Sequence, residues 1–144
     1  IDWPDTTMAG AQPYWNDTLG RYAATVFLRA HNPDEVAFDA TKNWRADRFI
    51  AFAAAGKSRD HAVWQTVWAG AADAQLFFKA LRTSLLQRYD QPADGKGDGT
   101  FTLAAQDRFI RVSVNQQGTG VLFIDAAGGE FAKAAAAKFD TSAK

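Results

Sequence analysis

Apolar residues recur along this chain in two periods. From Ala71 to Tyr89, Ala74, Phe77, Phe78, Leu81 and Leu85 fall at three- and four-residue steps. That is the stripe of a helix with one buried face. Asp73 in its first turn and Arg88 in its last complement the helix dipole. Leu19, Tyr22, Ala23, Val26, Phe27 and Ala30 repeat the spacing and predict a first helix from about Trp15 to Ala30, capped by Asn16 or Asp17. Pro33 ends it, because proline disfavours helical geometry in the preceding residue. A short second helix follows, with Asn32 as cap, Pro33 in the first position, and Asp34 and Glu35 at the positive end. Val36, Ala37 and Ala40 then face inward. A last helix, Glu130 to Phe139, is alanine-rich and anchored by Phe131 and Phe139.

The period changes to two in the remaining segments. Asp47–Ala54 and His61–Ala69 are joined by the polar turn 55–60 and read as a β-hairpin, the second run rich in β-branched and aromatic residues. Phe101–Ala105, Arg108–Asn115 and Gly120–Ala126 form a meander, with turns at Gln106-Asp107 and Gln116-Gln117-Gly118. In its middle strand Ile110, Val112 and Val114 alternate with Arg111, Ser113 and Asn115. The order α-α-β-β-α-β-β-β-α predicts the α+β class: an antiparallel sheet of about five strands with helices packed on one face. Residues 1–13 read as an irregular lead-in, 14–139 as one α+β domain and 140–144 as a frayed tail. The two β-then-α halves are open to reading as a degenerate duplication.

Composition narrows the function classes. The 144 residues are 47% hydrophobic and 22% charged, values of a globular domain and not of a disordered chain. Sixteen basic residues balance sixteen acidic ones, which argues against nucleic acid as a partner. No apolar run approaches the length of a membrane span. With no cysteine there is no disulfide, zinc–thiolate site or cysteine nucleophile. The opening Ile1-Asp2-Trp3-Pro4-Asp5 follows neither period and reads as a cut inside a longer protein, or a mature end after processing.

No pattern announces a reaction. The only histidines, His31 and His61, lie on different elements without metal-ligand spacing. Asp94, Asp98 and Gly99 match three positions of a calcium loop, but Lys96 and Ala105 stand where ligands are needed, so the segment reads as a connector. Its glycines do not form a phosphate loop, since a strand follows and not a helix. No serine sits in a Gly-x-Ser-x-Gly elbow. No catalytic residue, cofactor site or metal site is therefore assigned.

Two clusters remain as ligand-binding candidates. In Asn43-Trp44-Arg45-Ala46-Asp47-Arg48, Arg45 or Arg48 can hold an anion with Trp44 as a stacking platform. The alternative is a structural corner in which Trp44 plugs the core and Asp47 takes an arginine or backbone N–H groups. Trp64 and Trp68 share one strand face. They form a binding stripe if that face is open, and core if a helix covers it.

Four stretches carry a resemblance: Trp15-Asn16-Asp17-Thr18-Leu19-Gly20, Asn43-Trp44-Arg45-Ala46-Asp47-Arg48-Phe49, Val63-Trp64-Gln65-Thr66-Val67-Trp68 and Asp73-Ala74-Gln75-Leu76-Phe77. Together they resemble the C-terminal region of certain uncharacterised exported bacterial proteins. Those chains carry a Leu-Gly-Glu helix start, a Gly-Trp-Gly-Gly-Asp-Arg turn and a Trp-x-Thr strand, and many have an upstream segment like that of a zinc peptidase. Here no Glu follows Gly20, Arg21 stands where the family pattern has a later residue of its helix, Arg45-Ala46 replaces the Gly-Gly pair, and the zinc-binding segment does not occur. The resemblance implies a non-catalytic accessory or binding domain of a larger exported protein, periplasmic or extracellular, whose partner is an upstream domain. The alternatives are a small hydrolase whose site assembles only in three dimensions, and an oligomerisation module that dimerises through its sheet.

Overall fold

Ten elements make up the fold, in a computed structural model that describes residues 7–57, 59–91 and 99–140. In chain order they are β1 (Pro13–Asp17), α1 (Gly20–Arg29), α2 (Asp34–Thr41), β2 (Trp44–Phe52), β3 (His61–Trp68), α3 (Ala71–Arg88), β4 (Thr100–Ala105), β5 (Arg108–Val114), β6 (Gly120–Ala126) and α4 (Gly129–Phe139). The strands form one six-stranded sheet in the order β1-β2-β3-β6-β5-β4. Every neighbouring pair is antiparallel. The fold is α+β, as the element order predicts.

The register sorts side chains onto two faces. Phe49, Trp64, Phe123 and Val112 share one row across β2, β3, β6 and β5. Trp64, Trp68, Val112, Val121 and Phe123 pack there with Leu28 of α1, Ala37 and Ala40 of α2, and Phe77, Phe78, Leu81 and Leu85 of α3. Ile50, Val63, Leu122, Ile124 and Ala126 point the other way, onto Phe131, Ala135 and Phe139 of α4. The central strand β6 is buried almost throughout, so it needs cover on both sides.

Three findings revise the sequence reading. Three helices cover one face, but α4 lies on the opposite one, and the uninterrupted apolar run Val121–Ile124 is the physical reason. The sheet gains a sixth strand, because residues 13–17 pair with β2 along its edge. Proline at the first position of an edge strand leaves no ladder bond unmade. The first helix consequently starts at Gly20, and its buried residues are Ala24, Thr25 and Leu28. Tyr22 is 82% exposed and Val26 is 46% exposed, so the stripe that points inward is rotated from the expected one. Val36 likewise points outward, whereas Ala37 and Ala40 are buried. In the lead-in, Met8 and Ala11 exchange backbone hydrogen bonds (3.1 and 2.8 Å) and are buried against the α4 side.

Turn chemistry fixes the meander. Gln106 and Asp107 both take positive φ (51° and 62°), the mirror-image turn whose twist matches a hairpin. At the β5–β6 turn the Asn115 side-chain oxygen accepts the N–H groups of Thr119 and Gly120, each at 3.0 Å. A Cβ on Gly120 would stand 2.6 Å from Asn115 Nδ2, so a larger residue there would displace the side chain that holds the turn.

Candidate functional site

The six residues singled out in the sequence do not converge on one surface. Trp64 and Trp68 are 3% and 2% exposed, beneath α1 and α3. Phe77 meets both rings, edge-on to Trp64 at 5.7 Å and tilted to Trp68 at 4.5 Å. Burying two such rings contributes about 4 kcal/mol each. The Trp68 indole N–H donates to Thr66 Oγ1 at 2.9 Å, and that hydroxyl donates to the Val121 carbonyl at 3.2 Å. Trp44 pairs opposite Trp68 and packs partly buried against the same core. The register shifts between Trp44 and Ala46, leaving Arg45 exposed at the irregularity.

Asp47 is 4% exposed on the face that α1, α2 and α3 cover. Its carboxylate accepts the Trp64 indole N–H at 2.8 Å and the Gly20 backbone N–H at 3.1 and 3.2 Å. The carboxylate therefore joins β2, β3 and the start of α1. Arg48, opposite Gln65, points to the other face.

A different region has the form of a site. On the α4 face, the helix rests on β6 and β5 and leaves the outer hairpin beside it uncovered. The space between is a groove of about 670 Å³. Its floor holds Thr102, Ala104, Phe109 and Arg111, and its wall holds Ala132, Ala136 and Ala137. The alanine run of α4 explains the opening, since methyl groups stand where larger side chains would fill the gap. Phe109 is 42% exposed, and its ring reaches the position of a Cβ on Gly129 at 3.4 Å, closing one end.

Polar groups gather at the other end. Arg111 Nη2 donates to Asp140 Oδ2 at 3.1 Å and Ser113 Oγ donates to Asp140 Oδ1 at 2.8 Å. Arg111 Nε is buried with no hydrogen-bond partner among the described residues. Lys133 stands on the rim. A mostly apolar trough of this volume with a few convergent polar groups has the dimensions of a small-molecule site.

Residues 11–136 match the family model of a domain of unknown function (DUF8575). The chain belongs to this family. No curated protein and no solved structure is detectably similar to it. The DUF8575 match runs from just before β1 into α4 and so takes in the sheet, the helices and most of the groove wall.

His31 is partly exposed at the α1–α2 turn, whereas His61 is buried at the start of β3. The His61 ring stacks flat on Phe131 (3.9 Å, 2°), and Nδ1 accepts the Ala127 N–H at 3.0 Å. Its hydrogen bond is thus to backbone and not to a carboxylate. Among the described residues no group of three or more His, Asp or Glu side chains is placed to hold a metal. Most of the calcium-like segment, residues 92–98, lies outside the described residues. No helix of the described chain is long and apolar enough to cross a membrane.

Proposed function

We propose that this domain is a non-catalytic binding module whose ligand lies in the groove between α4 and the β4–β5 hairpin. The ligand has an elongated apolar body and a carboxylate head. The body lies over Ala104 and Phe109 against the alanines of α4. The head sits at the Arg111 end, beside the guanidinium. The Arg111 guanidinium at one end of a mostly apolar trough carries the reading, because a cation there suits a carboxylate while the alanines and Phe109 suit an apolar body. The resemblance to exported bacterial proteins supports a role as an accessory domain within a larger exported chain.

Calorimetric titration with decanoate tests the assignment. Saturable one-to-one binding is the expected result. Ala104→Trp fills the exposed floor of the groove and abolishes it without lowering the melting temperature. Arg111→Met weakens decanoate but leaves decanol unaffected. An absence of decanoate binding, or equal binding by Ala104→Trp, would overturn the assignment.

A further inference from the structure

On the opposite side of the first turn of α4 lies a second cavity, of about 390 Å³, with Lys57, His61, Gly128, Glu130 and Phe131 in its wall. The N-cap of α4 is Gly128, and no side chain caps the helix. The first-turn N–H groups are therefore open to an acceptor, with Glu130 the one acidic side chain of that turn.

His61 supplies an independent donor. The residue is 8% exposed. Because Nδ1 accepts the Ala127 N–H, the proton of the neutral ring resides on Nε2. Nε2 has no partner among the described residues, and the ring stands in the cavity wall. Burial and the nearby Arg108 both keep this ring neutral. The other charges near it are engaged elsewhere. Arg108 Nε donates to Asp125 at 2.7 Å, and Asp60 accepts the Tyr14 hydroxyl at 2.6 Å and the Ala54 N–H at 3.2 Å. The wall itself carries one cation, Lys57, and one anion, Glu130. That balance suits a single negative charge better than two.

We propose that this cavity binds a small monocarboxylate, which accepts hydrogen bonds from His61 Nε2–H and the first N–H groups of α4 while Lys57 closes over it. The site is separate from the α4 groove and does not depend on what the groove holds. Because the donor is the neutral imidazole, affinity is the same at neutral and mildly alkaline pH.

Two-dimensional ¹H–¹⁵N NMR of the whole chain, titrated with acetate and in a second arm with inorganic phosphate, tests the site. Acetate is expected to give saturable shifts at the amides of Gly129, Glu130 and Phe131 and at His61 Nε2. Lys57→Ala, an exposed change, is expected to weaken acetate about threefold. His61→Phe keeps the ring stack and is expected to weaken it about tenfold or more. If His61→Phe fails to fold, the Lys57→Ala comparison and the pH profile decide. Absence of saturable shifts at millimolar acetate, unchanged affinity in Lys57→Ala, or tighter binding of phosphate than of acetate would each overturn the assignment.

Discussion

Trp64 donates its indole N–H to the Asp47 carboxylate at 2.8 Å, and the same carboxylate receives the N–H that opens α1. Asp47→Ala removes the acceptor and leaves both donors dry. Urea unfolding, followed through tryptophan fluorescence, is expected to show a loss of about 3 kcal/mol. Asp47→Asn keeps one oxygen and costs about half as much. A loss near zero for the alanine variant would mean that water reaches these donors.

Gly20 holds φ at +80°, and a Cβ built there meets nothing within 4 Å. Substitution therefore costs backbone strain alone. Gly20→Ala is expected to destabilise by about 1 to 2 kcal/mol, and Gly20→Asn by less, since asparagine tolerates the left-handed region. Equal stability of all three proteins in thermal melts would show that the α1 start relaxes to another geometry.

The Arg108–Asp125 pair is the most enclosed ion pair among those described, with side chains 5% and 23% exposed. Arg108 Nη2 also donates to the Asp60 carbonyl at 2.8 Å, tying β5 to the start of β3. Asp125→Ala strands a buried guanidinium and is expected to cost about 3 kcal/mol. The double change Arg108→Met with Asp125→Ala should recover part of that loss. A double variant less stable than Asp125→Ala alone would mean that the Asp60 contact outweighs the stranded charge.

His61 gives the fold a pH dependence of defined sign. Burial, with Arg108 adding to it, holds the ring below its ordinary pKa of 6.5. As pH falls through that value the unfolded chain takes up the proton first, so this contribution is full above it and lost below. The melting temperature should fall between about pH 7 and pH 5, and His61→Phe should flatten that slope. The Tyr14 hydroxyl, and after it the Ala54 N–H, hold Asp60 below its ordinary 3.8, so its contribution is lost only in stronger acid. A slope unchanged by His61→Phe would place the titrating group elsewhere.

Much of the architecture was legible because periodicity reports burial. Ala74, Phe77, Phe78, Leu81 and Leu85 all lie in the core, and α3 begins and ends within a residue of the expected bounds. The first helix was harder, because Tyr22 and Val26 are apolar yet face solvent, while the buried face is carried by the small residues Ala24 and Thr25 with Leu28. Strand β1 gave little alternation, since four of its five residues are exposed. For Asp47 the sequence offers two readings, part of a ligand-binding cluster or a corner that takes an arginine or backbone donors. It does take a backbone N–H, with an indole in place of the arginine.

The groove left no local signature. Its wall is a run of alanines and its floor comes from strands twenty or more positions upstream, so only the folded arrangement reveals the gap. Gly128 and Gly129, the N-cap and first residue of α4 just after β6, carry no local sign that His61 would reach the same turn from β3.

The middle of the sheet, where β3 runs beside β6, is also where the chain closes its longest loop within the sheet, joining residues 62–67 to 120–125. Every other strand pair is made between sequence neighbours. Neither three-stranded half is thus a free-standing unit, for each keeps its most apolar edge for the other. Separate expression of the halves should yield two insoluble peptides that regain solubility only when refolded together.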